Sequence, residues 1–299
     1  MSAGARCVIC EGTRRRPRFG ARTLPWVVEC DECGLAFADP QPSDQELAAI
    51  YDEHYYEQFG FVEGPDTSDA ALARTKKATY GSVLDVAMPE LRSSARETNR
   101  RLLDVGCGLG FSLLAAKERG FDAIGLDPLA PADPAARPGR RVIPGTLETF
   151  RSDAPFDVVS MIDVIEHVRD PVASIRLAAE LLAPGGVLAL ATNDSSSAGA
   201  RLLGPRWTHY HRAHLWFFTP ATLSEVARRA GLEVIRAAPV RRTYNLEYIA
   251  SILARGSNFE LAARASRLAL RLTPARLKNA AWPPVSEGFV LVARRRQAA

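Results

Sequence analysis

An apolar run that ends in an acid and then breaks into three alternating glycines constrains this chain more than any other feature. Residues 101–110 read RLLDVGCGLG. Leu102, Leu103 and Val105 have the apolar density of a short buried strand, and Asp104 closes it. Gly106, Gly108 and Gly110 then form a tight loop. From 111 onward, Phe111, Leu114 and Ala115 recur at helical spacing. Strand, glycine loop and helix together place a ligand at a helix N-terminus, beside the carboxyl end of a strand. The next strand, 123–126, ends in Asp127, an acid placed to accept hydrogen bonds from ribose hydroxyls.

Two ligand classes compete for such a loop. A dinucleotide site is built on G-x-G-x-x-G, whose amides meet a pyrophosphate. Here the pattern is D-x-G-x-G-x-G. A carboxylate ahead of the first glycine repels a pyrophosphate and suits a ligand with a cationic amino-acid part. S-adenosylmethionine has such a part, and a ribose for Asp127.

Further along, residues 156–161 (FDVVSM) read as a buried strand that runs into IDVIEHV, and Asp170-Pro171 starts a helix. LLAPGG at 181–186 ends that helix, and 187–191 is another strand. With these segments in view, LLDVGCGLG, Asp127, FDVVSMIDVIEHVRDP and LLAPGGVLALAT resemble a class I S-adenosylmethionine-dependent methyltransferase. The resemblance covers residues 100–238 and a final strand at 288–294, GFVLVAR. It implies an α/β fold with a doubly wound, mostly parallel, seven-stranded Rossmann-like sheet whose last strand runs antiparallel. It also implies a cofactor set. Asp104, Gly106, Cys107, Gly108 and Gly110 match the loop and Asp127 the ribose acid. Gly145-Thr146-Leu147-Glu148 matches the adenine segment, through Leu147 and Glu148, and Ile162 and Asp163 lie beside the cofactor. Many relatives carry an acid directly after that glycine, where this chain has Thr146. Cys107 is read as a small side chain packed into the loop rather than as a redox group.

Four of the five cysteines fall within the first 33 residues, as Cys7-x2-Cys10 and Cys30-x2-Cys33. Paired C-x2-C units suggest a zinc site more than a disulfide framework. Four thiolates fill a tetrahedron and leave no open position, so the expected Zn²⁺ is structural. Gly34 follows the second pair directly, and Gly12 follows the first two residues on. Four unrelated free cysteines are the alternative. No secretory signal precedes them, which makes a reducing cytoplasm the expected location. No window approaches the ~18 apolar residues of a membrane helix. A four-cysteine ribbon followed by Tyr-rich sequence also resembles a methyltransferase subgroup that commonly acts on sugars or other natural-product and envelope precursors.

The expected organisation is a zinc-ribbon module at 1–42, a helical connector or lid at 43–99, and a methyltransferase domain at 100–299. Ser43-Asp44-Gln45-Glu46 is a helix start, and 69–98 reads as helix with Arg74, Lys76 and Lys77 on a polar face. Between them lies an aromatic cluster of Tyr51, His54, Tyr55, Tyr56, Phe59 and Phe61. A helical insertion is expected at about 240–286. It has helices at 245–253 and 261–272, the second bearing Arg264, Arg267 and Arg271.

Methyl transfer needs an aligned acceptor and, for an alcohol, a general base, for which histidine is suited. The chain has five histidines, and three lie in WTHYHRAH at 207–214, after the fifth strand. Relatives often show a histidine just before an aromatic run that leads into a helix, as His214 does here. His214 is therefore the first candidate base, with His211 and Tyr210 behind it. His167 either lines the pocket or caps the next helix with Glu166. Asn193 and Asp194 are placed to bind polar groups of the acceptor.

The expected acceptor is a small molecule, a sugar hydroxyl of a glycan or nucleotide sugar first. A carbon, an amine or a phenol is the alternative. A nicotinamide oxidoreductase fits the glycine spacing poorly. A nucleic-acid-binding or scaffold protein with a vestigial core is the rival from another class. Against it, 38 basic and 34 acidic residues leave a net charge of only +4, and no nucleic-acid partner is expected. Only four of the 38 are lysines, an arginine skew that coding bias explains as well as phosphate binding does. At 299 residues and 47% hydrophobic, the chain can bury a full core.

Overall fold

The computed structural model describes residues 6–51, 68–92, 99–130, 139–243, 273–274 and 285–296. The N-terminal part forms three short strands, β1 (Arg15–Pro17), β2 (Val27–Cys30) and β3 (Ala36–Ala38), each antiparallel to the next. Helix α1 (Asp44–Ile50) follows at the expected helix start, opened by a capping box. Glu46 N–H donates to Ser43 Oγ at 3.2 Å, and Ser43 N–H donates to Glu46 Oε2 at 2.6 Å. Helix α2 (Ser68–Ala87) stops before the expected residue 98. Pro89 follows in a 3₁₀ turn, Met88–Glu90, and proline cannot donate to a helical ladder.

The main sheet contains β4 (Arg101–Val105), β5 (Asp122–Asp127), β6 (Val142–Pro144), β7 (Phe156–Ile162) and β8 (Leu182–Asn193), all parallel. Helix α3 (Phe111–Glu118) connects β4 to β5, and α4 (Pro171–Glu180) connects β7 to β8. After β8 come α5 (Ala198–Leu203), the two-residue β9 (Trp216–Phe217), α6 (Pro220–Arg229), β10 (Leu232–Arg242) and β11 (Val285–Arg295). The seven strands lie in the order β10-β11-β8-β7-β4-β5-β6, with β11 antiparallel to both neighbours. This is the expected mostly parallel sheet with a reversed strand near its end. β9 joins the other sheet, giving the order β1-β2-β3-β9.

β8 begins at Leu182, five residues ahead of the expected start. Its Pro-Gly-Gly does not break the strand but bulges out of it. Phe156 pairs with Leu182 while Val158 pairs with Val187, so β8 spends five residues where β7 spends two. A Cβ on Gly186 would lie 2.9 Å from the Asp157 carbonyl oxygen, so only glycine allows the bulged chain so close. β10 carries strand structure through Arg242, into the start of the expected insertion. The helices expected at 245–253 and 261–272 lie outside the described residues.

Side chains alternate across the sheet with the period of a strand. On β8, Val187, Ala189 and Ala191 pack with α2 and α3 through Val83, Leu84, Ala115 and Ala116. Leu188 and Leu190 face the other way, toward Ile175 of α4 and Leu223 and Val226 of α6. Helices therefore cover both faces, and the carboxyl ends of β4, β5 and β7 are left to build the site. Among the described residues, no helix is long and apolar enough to cross a membrane.

Candidate functional site

The glycine loop leaves the end of β4 with Gly106, Gly108 and Gly110 at φ 68°, 54° and 76°. All three lie in the left-handed region that side chains resist. A Cβ on Gly106 would sit 2.4 Å from Val164 Cγ2, so the loop is a cradle that a side chain would fill. Gly106 N–H donates to the Leu126 carbonyl at 2.7 Å. α3 starts at Phe111 with no side chain capping its first turn. Cys107 is buried, and a Cβ on Gly125 of β5 would lie 2.3 Å from its sulfur. Its thiol therefore packs over β5, as a small filler does.

Two buried acids flank this loop, and Asp127 bonds to it directly. Asp127 Oδ2 accepts from Gly108 N–H at 2.8 Å and Oδ1 from Leu129 N–H at 2.9 Å. Asp104 accepts from Ser112 Oγ at 2.5 Å and from Ser160 Oγ at 2.6 Å. Burial pushes the Asp104 carboxyl up to about 6, against the pull of the two serines. Of the adenine segment, Leu147 is buried and Glu148 exposed, just past β6. Ile162 is buried at the end of β7. Asp163, next to it, takes φ 56° and an ion pair with Arg242 from the end of β10. Arg242 Nη1 donates to Asp163 Oδ2 at 2.8 Å, and Nη2 donates to Oδ1. Burial opposes ionisation there, but the Arg242 guanidinium holds the Asp163 carboxyl below its usual range.

Four histidines gather beyond the end of β7. His214 lies 4.6 Å from His167, 3.8 Å from His211 and 6.0 Å from His209, centroid to centroid. His214 Nδ1 is 2.8 Å from the His209 carbonyl. A carbonyl only accepts, so Nδ1 carries the proton and Nε2 keeps its lone pair. His167 Nδ1 is 3.0 Å from the Ala213 carbonyl, which fixes the same tautomer, and 2.6 Å from the Tyr51 hydroxyl. Glu166 is buried between these rings, and neither carboxyl oxygen has a hydrogen-bond partner among the described residues. One ligating atom from each of Glu166, His167 and His214 lies within 4.8 Å of the others. Such a set can pass a proton, and one carboxylate with two imidazoles can also hold a divalent cation. The first turn of α4 is capped instead by Asp170, which accepts from Ala173 N–H at 2.9 Å. Tyr210 is buried against Phe19, Trp207 and Phe217, and that burial raises its phenol above the usual value.

The charge state of the cluster follows from burial. Burial pushes His167 and His209 down to about 4 and His211 to about 3, and it takes His214 well below the ordinary value. Burial, with the Asp163 charge behind it, pushes Glu166 up to about 8. At pH 7 the site holds neutral imidazoles beside a mostly protonated acid. The imidazoles contribute stability that is complete above pH 6.5 and lost as pH falls toward 4. Glu166 acts in the opposite sense: its contribution is complete below pH 4.5 and lost as pH rises toward 8. Glu166→Gln is expected to remove the alkaline loss. The variant's melting temperature should gain on the parent's by about 5 °C between pH 5.5 and 8, at ~1.4 kcal/mol per pH unit. A difference that does not change with pH would show that Glu166 is ionised in the folded chain.

The four N-terminal cysteines converge as their spacing predicts. Cys7 and Cys33 sulfurs are 3.4 Å apart, as are those of Cys10 and Cys30, and all four lie within 4.8 Å of one another. These separations exceed a disulfide bond of about 2.05 Å. They bracket the edge of about 3.8 Å that four sulfurs take around a tetrahedral ion at 2.3 Å. Both turns close alike: Glu11 N–H donates to the Cys7 carbonyl at 2.8 Å and Gly34 N–H to the Cys30 carbonyl at 3.0 Å. The left-handed residue of the first turn is thus Glu11, at φ 60°, and not Gly12.

Arg242, Ser112 and Ser160 carry no sequence signal for the site, whereas Tyr51 belongs to the aromatic cluster expected in the connector or lid, and it reaches His167. Ser112, on the first turn of α3, carries the nearest thing to a local signal. Asn193, expected past the strand, is the last residue of β8, and Asp194 follows it. Asp194 accepts from Ser196 N–H at 2.8 Å and from its hydroxyl at 2.6 Å, shaping its own turn.

Comparison with known proteins agrees with this geometry. The family model described as "Methyltransferase domain" matches residues 78–237. A ubiquinone biosynthesis O-methyltransferase of Cereibacter sphaeroides is 32% identical over 150 residues, 45% of this chain and 61% of that protein. The protein of the same name from Nitrosospira multiformis is 32% identical over 176 residues, 51% of this chain and 72% of its own. Among solved structures, the 1,6-didemethyltoxoflavin-N1-methyltransferase of Burkholderia thailandensis, with bound S-adenosylhomocysteine, superposes with a TM-score of 0.53. It is 16% identical and covers 89% of this chain and 98% of its own. The magnesium protoporphyrin IX methyltransferase of Synechocystis, also with bound S-adenosylhomocysteine, gives 0.50 at 12% identity, covering 85% of this chain and all of its own. At these identities the solved structures show the fold, and the family match rests on the sequence. The chain belongs to the methyltransferase-domain family and carries the class I S-adenosylmethionine-dependent methyltransferase core.

Proposed function

We propose that this chain transfers a methyl group from S-adenosylmethionine to a hydroxyl oxygen of a small acceptor, and that the histidine cluster takes the acceptor proton. The observation that carries this reading is the convergence of His167, His214 and Glu166 past the end of β7, beside the strand that bears the glycine loop. The cofactor supplies an electrophilic methyl group and a good leaving group. The protein's own work is to hold the acceptor in line and to receive a proton. The glycine cradle fits the cofactor's amino-acid part, and Asp127 fits its ribose. His214 Nε2, left free by the bond from Nδ1 to the His209 carbonyl, is the proposed proton acceptor. His167 and Glu166 lie beside it.

The depressed basicity of these rings bears on the acceptor. His214, the proposed base, lies well below the ordinary imidazole value, so the uphill proton transfer is smaller from a phenol at ~10 than from a hydroxyl as weakly acidic as water, at 15.7. A phenol-like hydroxyl is therefore favoured over the sugar hydroxyl suggested by the ribbon subgroup. The names of the ubiquinone biosynthesis O-methyltransferases point to oxygen as the atom methylated, and they lend the sugar no support. We further propose that Cys7, Cys10, Cys30 and Cys33 bind one structural Zn²⁺.

Mass spectrometry of catechols, simple phenols and nucleotide sugars incubated with enzyme and cofactor tests the acceptor. A methylated phenol supports the reading, and methylation of sugars alone overturns that choice. On whichever acceptor is turned over, His214→Ala is expected to lower kcat by at least about 100-fold, the range of general-base catalysis. The dissociation constant for S-adenosylhomocysteine should stay within about twofold. An unchanged kcat would remove His214 from the proton path.

A further inference from the structure

The cysteine module and the histidine cluster are joined by backbone. Ala38 N–H, at the end of β3, donates to the Leu215 carbonyl at 2.9 Å. Leu215 N–H donates to the Glu166 carbonyl at 2.8 Å, and Trp216 N–H reaches the same carbonyl at 3.3 Å. Trp216 Nε1 donates to the Val168 carbonyl at 2.8 Å. His214 immediately precedes this run, and His167 lies between the two acceptor carbonyls. Among the described residues β9 pairs with β3 alone, through Ala36 with Phe217 and Phe37 with Trp216.

The module's side chains reinforce the bridge. Cys7, Cys30, Leu35 and Phe37 belong to the same packed core as Ile165, Leu215 and Trp216. The Phe37 and Trp216 rings lie 5.9 Å apart. β3 is held in turn by β2, whose last residue is Cys30, and Cys30 N–H donates to the Leu35 carbonyl at 2.9 Å. Strands of two to four residues have little stability of their own, so whatever fixes the cysteine turns fixes β3 and, through it, β9. The glycine loop hangs on separate bonds, from Gly106 and Cys107 to the Leu126 carbonyl and from Gly108 to Asp127.

We infer that the four-cysteine module is a positioning element of the proton-accepting site, and that metal bound by its thiolates holds β3, and through β9 the imidazoles of His214 and His167, in place. The inference rests on the proposal that the cysteines bind zinc. Metal loss then loosens β3 and β9 and frees the histidine cluster, while the cofactor loop keeps its shape. Cys7, Cys10, Cys30, Cys33 and Phe37 act through the histidines rather than on the reacting atoms.

The test uses the full chain with its zinc content measured. Zinc is removed with a mercurial thiol reagent and a chelator, and the thiols are restored with dithiothreitol. Histidine reactivity toward diethyl pyrocarbonate is read peptide by peptide, and S-adenosylhomocysteine binding by calorimetry. Removal is expected to raise modification of His214 and His167 at least tenfold while the dissociation constant moves less than threefold. A purified chain without zinc would overturn the zinc proposal and this inference together. Zinc present, with reactivity unchanged on its removal, would overturn the inference alone. Should stripping unfold the chain, Phe37→Ala provides the second arm, because it keeps all four thiols. It is expected to retain one zinc per chain and raise the reactivity of both histidines, with Phe37→Leu restoring protection. Unchanged reactivity in Phe37→Ala would equally overturn the inference.

Discussion

Asp127→Ala is expected to weaken S-adenosylhomocysteine binding by about 100-fold. A carboxylate that accepts from two ribose hydroxyls makes charge-assisted hydrogen bonds worth ~1.5–3 kcal/mol each, and ~3 kcal/mol is more than two decades of affinity. The substitution also takes an acceptor from Gly108 N–H and Leu129 N–H, so the loop loses shape as well as its ligand partner. Calorimetry on folded protein reads the effect. A loss of less than threefold would place the ribose elsewhere. Asp127→Asn separates the two contributions, since its amide oxygen can still accept from one loop N–H but brings no charge.

The second large effect is on stability. Arg242→Ala is expected to cost about 2 kcal/mol, less than the loss of one partner from a fully buried pair, because the Asp163 side chain is 35% exposed and water screens the charge left behind. The Asp163 carboxylate would then lie unpaired beside Glu166, a second acid that already resists ionisation. For a chain of this size the melting temperature should fall by about 5 °C. Adding Asp163→Asn removes the stranded charge and is expected to recover more than half of the loss. A cost below about 0.5 kcal/mol for Arg242→Ala alone would mean that water screens Asp163 almost completely. The pair also ties the end of β10 to the end of β7, two strands with β11 and β8 between them.

What could be read in the sequence depended on how far apart its parts lie. The strand, glycine loop and helix at 101–118 are recognisable because strand, turn and cap signals fall within a few residues of one another. The Ser43–Glu46 helix start and the two cysteine turns are legible for the same reason. The partners that organise the candidate site are not local. Arg242 meets Asp163 across 79 positions and Tyr51 meets His167 across 116, and no periodicity reports such pairings. Glu166 could be seen, but its isolation from hydrogen-bond partners could not, because burial is a property of the packed chain. Some local signals also mislead. Pro-Gly-Gly in β8 looks like a strand breaker and is a bulge, and the glycine after the first cysteine pair sits one place beyond the residue that takes the left-handed turn.

The position of β11 affects how the chain assembles. It enters between β8 and β10 and bonds to both, so until residues 285–295 arrive β8 presents an open edge and β10, the outer strand of the finished sheet, has no partner in it. Open apolar edges are templates for pairing between molecules. During synthesis on the ribosome, the interval between the emergence of residue 242 and that of residue 295 is thus the one in which self-association competes with folding. A chaperone that shields strand edges would matter most in that interval, and slow translation through it would lengthen the exposure.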